Sequence, residues 1–160
     1  KGVMVRRCLT KISSNENISG IKHLNRLDSV LARSEWKDNY FEGIFLDSEN
    51  NLIEGTMTNI FLIKNKILYT PHLISSGIDG IMRQVVKDKA DLLFEKFNET
   101  KIHIDSLKEY DGMFLTNSAI KIMPVRSFES ISFNITKQME KMIAFYDYRN
   151  PERIENLELF

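Results

Sequence analysis

The sequence predicts a single α/β or α+β domain built on a mixed sheet with flanking helices. Short β-branched and apolar runs predict strands, while longer segments whose apolar residues recur at helical spacing predict helices. Strands and helices are interleaved along the chain, which is the element order of a mixed sheet. The 160 residues suffice for one globular domain with a sizeable core, and they contain no internal repeat or low-complexity tract.

The first part of the chain predicts a strand, a loop and a helix. The stretch "GVMVRRCLT" predicts the strand, and "KISSNENISG" predicts a polar loop closed by Gly20. A helix is expected from about His23 to Trp36, because apolar residues there would bury one face. These residues are Leu24, Leu27, Val30 and Leu31.

The middle of the chain predicts a sheet followed by a second long helix. The stretches "GIFLD" and "NLIEGTMTNIFLIKNKILYT" predict strands, with a tight turn at Asn65 and Lys66. After the loop "HLISSGIDG", Gly80 stands at the threshold of the helix. Its apolar positions are Met82, Val85, Val86, Ala90, Leu93, Phe94 and Phe97.

The last third predicts short strands and a closing helix. The strand candidates are "KIHI", "GMFLT" and "ISFNI". The helix is predicted by the spacing of Ile135, Met139, Met142 and Ile143, and the charged tail "YRNPERIENLELF" follows it.

Composition argues against several classes of function. Lys plus Arg and Asp plus Glu each number 22, so the formal net charge is zero, and no basic run indicates nucleic-acid binding. No apolar run approaches the roughly 18 residues of a membrane span. The single cysteine, Cys8, cannot form an intramolecular disulfide, and we expect the cytoplasm. Because the chain begins with Lys directly before a strand, we expect a piece of a longer protein.

Four stretches carry groups that could perform chemistry or hold an anion. Lys22 lies between a glycine and an apolar segment, where partial desolvation would favour its neutral, nucleophilic form. Glu54 directly follows the apolar pair Leu52 and Ile53 in "NLIEG". The loop "SSGIDG" enters a helix whose first amides would favour phosphate, and "LTNSA" adds a hydroxyl and an amide. Taken singly, each stretch also fits a solvated charge, a strand-end carboxylate or an ordinary turn.

Taken in order, these stretches resemble the fold-type IV pyridoxal-phosphate enzymes. This family contains branched-chain and D-amino acid aminotransferases and 4-amino-4-deoxychorismate lyases. The stretch "GIKHLNRLDSVLARSEW" is most similar to the lyases, and it is supported by "LDSENNLIEGTMTNIFLIKNKILYTP", "GIDGIMRQ" and "LTNSAIKIMPVRSF". The resemblance runs from about Gly20 to Phe128, and it implies a mixed sheet or pseudo-barrel as the fold.

The resemblance implies a role for each stretch around pyridoxal 5'-phosphate. The Schiff-base lysine of the family falls on Lys22, the catalytic residue. The glutamate facing the pyridine nitrogen falls on Glu54, and a carboxylate there favours protonation of the ring. The phosphate-binding turns fall on Ile81 with Met82, where relatives often carry threonine in place of Met82, and on Asn117 with Ser118. The family pattern also includes Arg83, whose role the sequence leaves open between structure and binding. No metal is implied.

The resemblance also implies a reaction and an assembly. The lyase reaction converts 4-amino-4-deoxychorismate to 4-aminobenzoate and pyruvate, a step towards folate, so the partner is a small-molecule substrate. Residues 1–160 correspond to the large C-terminal domain of the family. A smaller N-terminal domain, which lines the pocket in relatives, is missing from this chain, so the fragment itself would bind cofactor weakly and lack turnover. Relatives are usually homodimers, so a homodimer is expected.

Two alternatives remain open from the sequence. An aminotransferase acting on branched-chain or D-amino acids would share Lys22 and Glu54 on the same fold. A cofactor-free interaction or scaffold domain would leave Lys22 as a surface ammonium. The adjacent His23 is expected to be a helix-start or packing residue rather than a catalytic one.

Overall fold

A computed structural model describes residues 2–37 and 39–146, and it confirms the predicted mixed α/β class. The strands are β1 (Val3–Arg7), β2 (Glu42–Leu46), β3 (Leu52–Gly55), β4 (Asn59–Lys64), β5 (Ile67–Pro71), β6 (Lys96–Thr100), β7 (Gly112–Asn117), β8 (Lys121–Phe128) and β9 (Ile131–Ser132). The helices are α1 (Leu27–Arg33), α2 (Ile81–Asp88) and α3 (Lys137–Tyr146), with shorter 3₁₀ turns at Ala90–Leu92 and Ile104–Glu109.

The strands form one curled sheet. Their order is β3-β2-β1-β8-β7-β4-β5-β6, with β9 paired to β8. The pairs β1/β2, β1/β8 and β5/β6 are parallel, and the remaining pairs are antiparallel. The two edge strands, β3 and β6, approach each other at one point. There the Leu52 amide of β3 donates to the carbonyl of Ile102, just beyond β6, over 2.8 Å. The predicted pseudo-barrel is therefore confirmed.

Apolar side chains fill both faces of this sheet. One cluster lies within the curl and includes Val5, Ile44 and Leu115, all with 0% exposure. The other lies beneath α2 and α3, where the rings of Phe61 and Phe114 stack with centroids 5.1 Å apart. Because both faces are covered, the central strands are continuous apolar runs rather than alternating patterns.

Several predicted elements are confirmed. The strands in "GVMVRRCLT", "GIFLD" and "GMFLT" correspond to β1, β2 and β7. The turn between β4 and β5 has positive φ at Asn65 (50°) and Lys66 (63°), as a two-residue hairpin turn requires. The closing helix is α3, which buries Met139 and Met142. The stretch "ISFNI" contributes only the two-residue strand β9. The charged tail, residues 148–160, lies outside the described residues.

The first predicted helix is shorter than expected, and its burial was predicted wrongly. Helix α1 begins at Leu27 and ends at Arg33, so His23 lies in irregular backbone rather than at a helix start. The predicted apolar face is exposed: Leu24 by 101%, Leu27 by 62%, Val30 by 64% and Leu31 by 50%. Periodicity identifies an apolar face but does not identify what covers it, and nothing within the described residues does.

The second predicted helix also ends early. Helix α2 stops at Asp88, and Phe97 belongs to strand β6, which pairs in parallel with β5. The stretch "KIHI" is not a strand, since it makes only an isolated bridge at His103 before a 3₁₀ turn. Tertiary pairing with β5 outweighs the local helical spacing here.

The sequence analysis missed strand β8, which pairs with β1, β7 and β9. Pro124 lies within it, and proline usually argues against a central strand. The pairing with β1 shifts register between Val3 and Met4, so that Val125 and Ser127 become their partners. The skipped residue on β8 is Arg126, whereas Pro124 pairs with Phe114 on β7 in regular register.

Cys8 is a buried packing residue. Its side chain is 4% exposed and contacts the apolar cluster of Ala32, Trp36 and Phe45. Burial raises the pKa of the Cys8 thiol to about 12, and the nearby Glu35 and Glu42 carboxylates act in the same direction. A thiol in this state is unreactive at neutral pH.

Within residues 2–37 and 39–146, the helices are too short and too polar for any of them to cross a membrane.

Candidate active site

Glu54 is a buried carboxylate at the end of β3. It is 2% exposed, and its Oε2 accepts a hydrogen bond from the Ile78 amide over 2.8 Å. Its Oε1 accepts from both Nη atoms of Arg26, each 3.3 Å away. Burial raises the pKa of the Glu54 carboxyl, the Ile78 amide and Arg26 oppose that rise, and the net direction is upward. The site therefore contains a carboxylate whose charge depends on its few partners.

Lys22 lies in an exposed segment that is fastened to the loop before α2. The Gly20 amide donates to the Gly77 carbonyl over 2.9 Å, and the Asp79 amide donates to the Gly20 carbonyl over 3.0 Å. Gly20 and Gly77 have φ angles of 77° and 92°, which glycine adopts without strain. Lys22 follows Gly20 by two residues and precedes Arg26 by four. The predicted helix start at His23, directly after Lys22, is wrong, since α1 begins only at Leu27.

The start of α2 presents unpaired backbone amides. Gly80 is the N-cap residue, and the Asn59 amide group donates to the Ile78 carbonyl just before it over 2.7 Å. A Cβ at Gly80 would lie 2.5 Å from Asn59 Oδ1, so only glycine permits this approach. The amides of Ile81 and Met82 find no acceptor in the described part of the chain, as expected for the first turn of a helix. Such a terminus favours an anion.

The turn after β7 is tied to Met57 in the loop between β3 and β4. The Asn117 Oδ1 accepts from the amides of Ala119 and Ile120 at 2.9 Å each, and its Nδ2 donates to the Met57 carbonyl over 3.1 Å. The Asn117 side chain is thus occupied in shaping the turn. Ser118 is exposed at its tip, where its hydroxyl is available to a ligand.

A strand pair connects the two turns. Asn59 on β4, which contacts the Ile78–Gly80 stretch, lies opposite Thr116 on β7. The Thr116 Oγ1 is buried and has no hydrogen-bond partner among the described residues. Sequence analysis did not single out Thr116, although a hydroxyl residue at the end of an apolar strand is a usable signal. The structure therefore brings the residues that precede both predicted phosphate turns into one region.

Glu42 is a second buried carboxylate that the sequence analysis missed. It is 0% exposed on β2, and it accepts from the Thr56 hydroxyl over 2.5 Å and the Thr58 hydroxyl over 3.0 Å. The Met57 amide adds a third bond over 3.1 Å. These bonds fix the turn that follows Glu54. A lone carboxylate opening the apolar run "EGIFL" was the signal that could have identified it.

Arg83 stabilises the loop before α2. It is 2% exposed and donates to the Pro71 carbonyl over 2.9 Å, to Asp79 over 2.7 Å and to Glu99 over 2.6 Å. Burial alone would raise the pKa of Glu99, but its bonds to Lys87 and Arg83 outweigh that effect and lower it. The role left open by the sequence is therefore structural.

His23 lines a cavity beside the segment that follows Gly20. Its Nδ1 is buried without a partner among the described residues, and the side chain lines a cavity of about 180 Å³ that is rich in serine. Neither Lys22 nor Glu54 lines this cavity. The prediction of a packing residue fits this position better than that of a helix-start residue, because α1 begins only at Leu27.

Comparison with known proteins identifies similar sequences of two activities. A family model described as class IV amino-transferase matches residues 3–128. The aminodeoxychorismate lyase of Vibrio harveyi is 29% identical over 147 residues, covering 89% of this chain and 54% of the relative. The branched-chain-amino-acid aminotransferase of Escherichia coli (strain K12) is 36% identical over 129 residues, covering 76% of this chain and 41% of the relative.

The fold is similar to that of a solved lyase. The crystal structure of 4-amino-4-deoxychorismate lyase from Pseudomonas aeruginosa superposes with a TM-score of 0.87 and 30% identity, covering 93% of this chain and 56% of that chain. The chain thus spans about half the length of the relatives it matches.

We predict that Arg83→Met destabilises the domain by about 2 kcal/mol at pH 7, because the buried guanidinium joins two carboxylates and a carbonyl. The ion pair of Glu99 contributes to the free energy of unfolding above the pKa of this residue in the unfolded chain, near 4.5. That contribution is lost as the pH falls through the lower pKa of the folded state. The deficit, measured by urea unfolding, should therefore shrink near pH 3.

The control is Lys66→Met, which removes an ion pair between two exposed side chains, Lys66 and Glu95. This change should cost less than about 0.5 kcal/mol at either pH. Equal losses for the two variants would contradict the structural role of Arg83.

Proposed function

Because this chain belongs to the class IV amino-transferase family, we propose that it is the cofactor-binding part of a lyase that converts 4-amino-4-deoxychorismate to 4-aminobenzoate and pyruvate. Membership in the family confirms the resemblance noted in the sequence, and it indicates pyridoxal 5'-phosphate as the cofactor. It favours a cofactor-dependent enzyme over the cofactor-free scaffold. The reaction is a step of folate biosynthesis.

One observation carries the proposal: the segments bearing Lys22, Glu54 and the start of α2 are tied to one another by hydrogen bonds. Gly20 pairs with the 77–79 loop, and both Ile78 and Arg26 donate to Glu54. A reactive amine, a buried carboxylate and an anion-binding helix start are the three groups that pyridoxal phosphate needs.

The donor set in this region suits the cofactor. We assign its phosphate to the amides of Ile81 and Met82 and to the turn of Asn117 and Ser118. The absence of an acceptor for the first two amides supports this assignment, as does the unpaired hydroxyl of Thr116 beside the second turn. Met82 has no hydroxyl, so its contribution would come from its backbone alone.

The proposed roles of the side chains follow from their chemistry. When bound, the cofactor supplies an electron sink for a carbanion at the substrate carbon that bears the amine. Lys22 Nζ would hold the aldehyde carbon and, when displaced by the substrate amine, would take a proton at Nζ and return one. Glu54 would keep a proton on the ring nitrogen by offering an anionic oxygen. Its burial strengthens that interaction.

The aminotransferase remains the second candidate. The Escherichia coli relative is more identical to this chain, at 36%, than the Vibrio harveyi lyase, at 29%, although over a shorter stretch. Lys22 and Glu54 are shared by both chemistries and do not discriminate between them. We favour the lyase because "GIKHLNRLDSVLARSEW" is most similar to lyases and because the lyase match covers more of the chain.

The proposal includes a second domain and a dimer. Ile81 and Met57, which border the proposed site, are exposed by 70% and 51%, and we propose that a smaller N-terminal domain of the full-length protein covers them. We further propose that a second copy covers the exposed apolar face of α1, since a contiguous apolar surface of this kind marks an interaction site. The protein would be a cytoplasmic homodimer with a small-molecule substrate and neither a nucleic-acid nor a membrane partner.

We predict that the full-length protein binds pyridoxal phosphate with an absorption band at longer wavelength than that of the free aldehyde, and that Lys22→Ala abolishes this band, because the protonated Schiff base with the lysine produces the shift. The matched control is Lys101→Ala, which removes an exposed lysine paired with Glu49. The 160-residue chain alone should bind at least about tenfold more weakly, because part of the pocket is missing. Retention of the band in Lys22→Ala would contradict the assignment.

We predict that the full-length protein releases 4-aminobenzoate and pyruvate in equal amounts from 4-amino-4-deoxychorismate without any keto acid. Chromatography of the products measures both. Amino transfer that requires a keto-acid acceptor, with no pyruvate released in its absence, would instead establish the aminotransferase. Lys22→Ala serves as the inactive control in both assays.

A further inference from the structure

Arg26 joins the Lys22 segment to the buried carboxylate of Glu54. Both Nη atoms lie 3.3 Å from Glu54 Oε1, and Nη2 also donates to the Thr56 carbonyl over 3.2 Å. The Arg26 side chain is 26% exposed, whereas that of Glu54 is 3% exposed. The guanidinium therefore lies at the boundary between solvent and the buried carboxylate, and it contacts the turn on each side of Gly55.

The other groups around Glu54 do not supply a compensating positive charge. The Ile78 amide donates to Oε2, which stabilises the anion without carrying a charge. Glu42 on β2 is a carboxylate, and its charge disfavours ionisation of Glu54. Among the described residues, Arg26 is the sole cation that forms an ion pair with Glu54. A carboxylate buried beside a like charge becomes neutral without such a partner.

We propose that Arg26 is a positioning residue of the lyase reaction: its guanidinium keeps Glu54 anionic and aims Oε1, so that the ring nitrogen of the cofactor meets a charge. This inference rests on the proposed function. Arg26 follows Lys22 by four residues, so the same contact holds the lysine segment against β3. The proposed electron sink then depends on a side chain that does not touch the substrate.

The test is an NMR titration of the cofactor-free 160-residue chain labelled with ¹³C at glutamate carboxyls. The Glu54 signal is assigned by its loss in Glu54→Gln. We expect Arg26→Gln to raise the Glu54 midpoint by about one pH unit or more, because removal of the cation leaves burial and Glu42 unopposed except by the Ile78 amide. Arg26→Lys should raise it less, since a lysine keeps the charge but loses the two-pronged contact.

The matched control is Arg33→Gln, which removes the same charge from a guanidinium stacked over Trp36. It should leave the Glu54 midpoint unchanged. An unchanged midpoint in folded Arg26→Gln would overturn the proposal. If Arg26→Gln does not fold, Arg26→Lys decides: a raised midpoint supports the proposal and an unchanged one overturns it.

A second arm uses the full-length protein loaded with pyridoxal phosphate. Arg26→Gln should lower kcat about tenfold with little change in KM, and it should move the acid limb of the kcat profile to higher pH, because Glu54 protonates sooner. A kcat profile that matches the wild type would overturn the catalytic role. The first arm requires no cofactor, so failure of the protein to bind pyridoxal phosphate would refute the proposed function while leaving the Arg26–Glu54 coupling measured.

Discussion

The ionic contact of a buried carboxylate organises the candidate site. Glu54 is almost fully enclosed, and its two oxygens receive hydrogen bonds from Arg26 on one segment and from Ile78 on another. A buried charge is tolerated only where such partners exist, so the positions of these segments and the charge of Glu54 depend on each other. Because Lys22 and α2 belong to those segments, the proposed lysine and phosphate sites depend on the same contact.

Two further hydrogen-bond networks stabilise this arrangement. Glu42 binds two hydroxyls and an amide of the turn after Glu54, and Arg83 ties the loop before α2 to Pro71 and Glu99. The polar atoms of both side chains are engaged in hydrogen bonds within the protein. Both fix backbone from which the site residues project, and that is how a fold achieves the precision that a bound cofactor demands. Met57 and Ile81, which border the proposed site, are by contrast exposed.

The sequence predicted the fold class and the positions of the candidate residues, because strand runs and family motifs are local patterns. It failed where distant contacts decide. Phe97 continued a helical spacing but joined β6 through pairing with β5, and Pro124 concealed a central strand that pairs with β1 and β7. The apolar spacing around Leu27 and Val30 was real, yet within the described residues no partner covers it.

The partners of the site residues were the least predictable part. The family motifs indicated Lys22 and Glu54 by position, but nothing in the local sequence couples Arg26 to a carboxylate 28 residues away. The same holds for Glu42, whose hydroxyl partners Thr56 and Thr58 lie in the turn after the neighbouring strand β3. Such contacts follow from strand order and sheet curvature, and a single sequence states neither. Sequence reasoning therefore proposed the chemical groups but did not predict the hydrogen-bond network around them.

The most direct test of the central claim is the ¹⁵N chemical shift of the pyridine nitrogen in labelled pyridoxal phosphate bound to the full-length protein. If Glu54 faces that nitrogen as an anion, the wild-type shift lies at the protonated value near neutral pH. Glu54→Gln then moves the shift most of the way to the unprotonated value, because a neutral amide does not stabilise the ring charge. An identical shift in the two proteins would contradict the account.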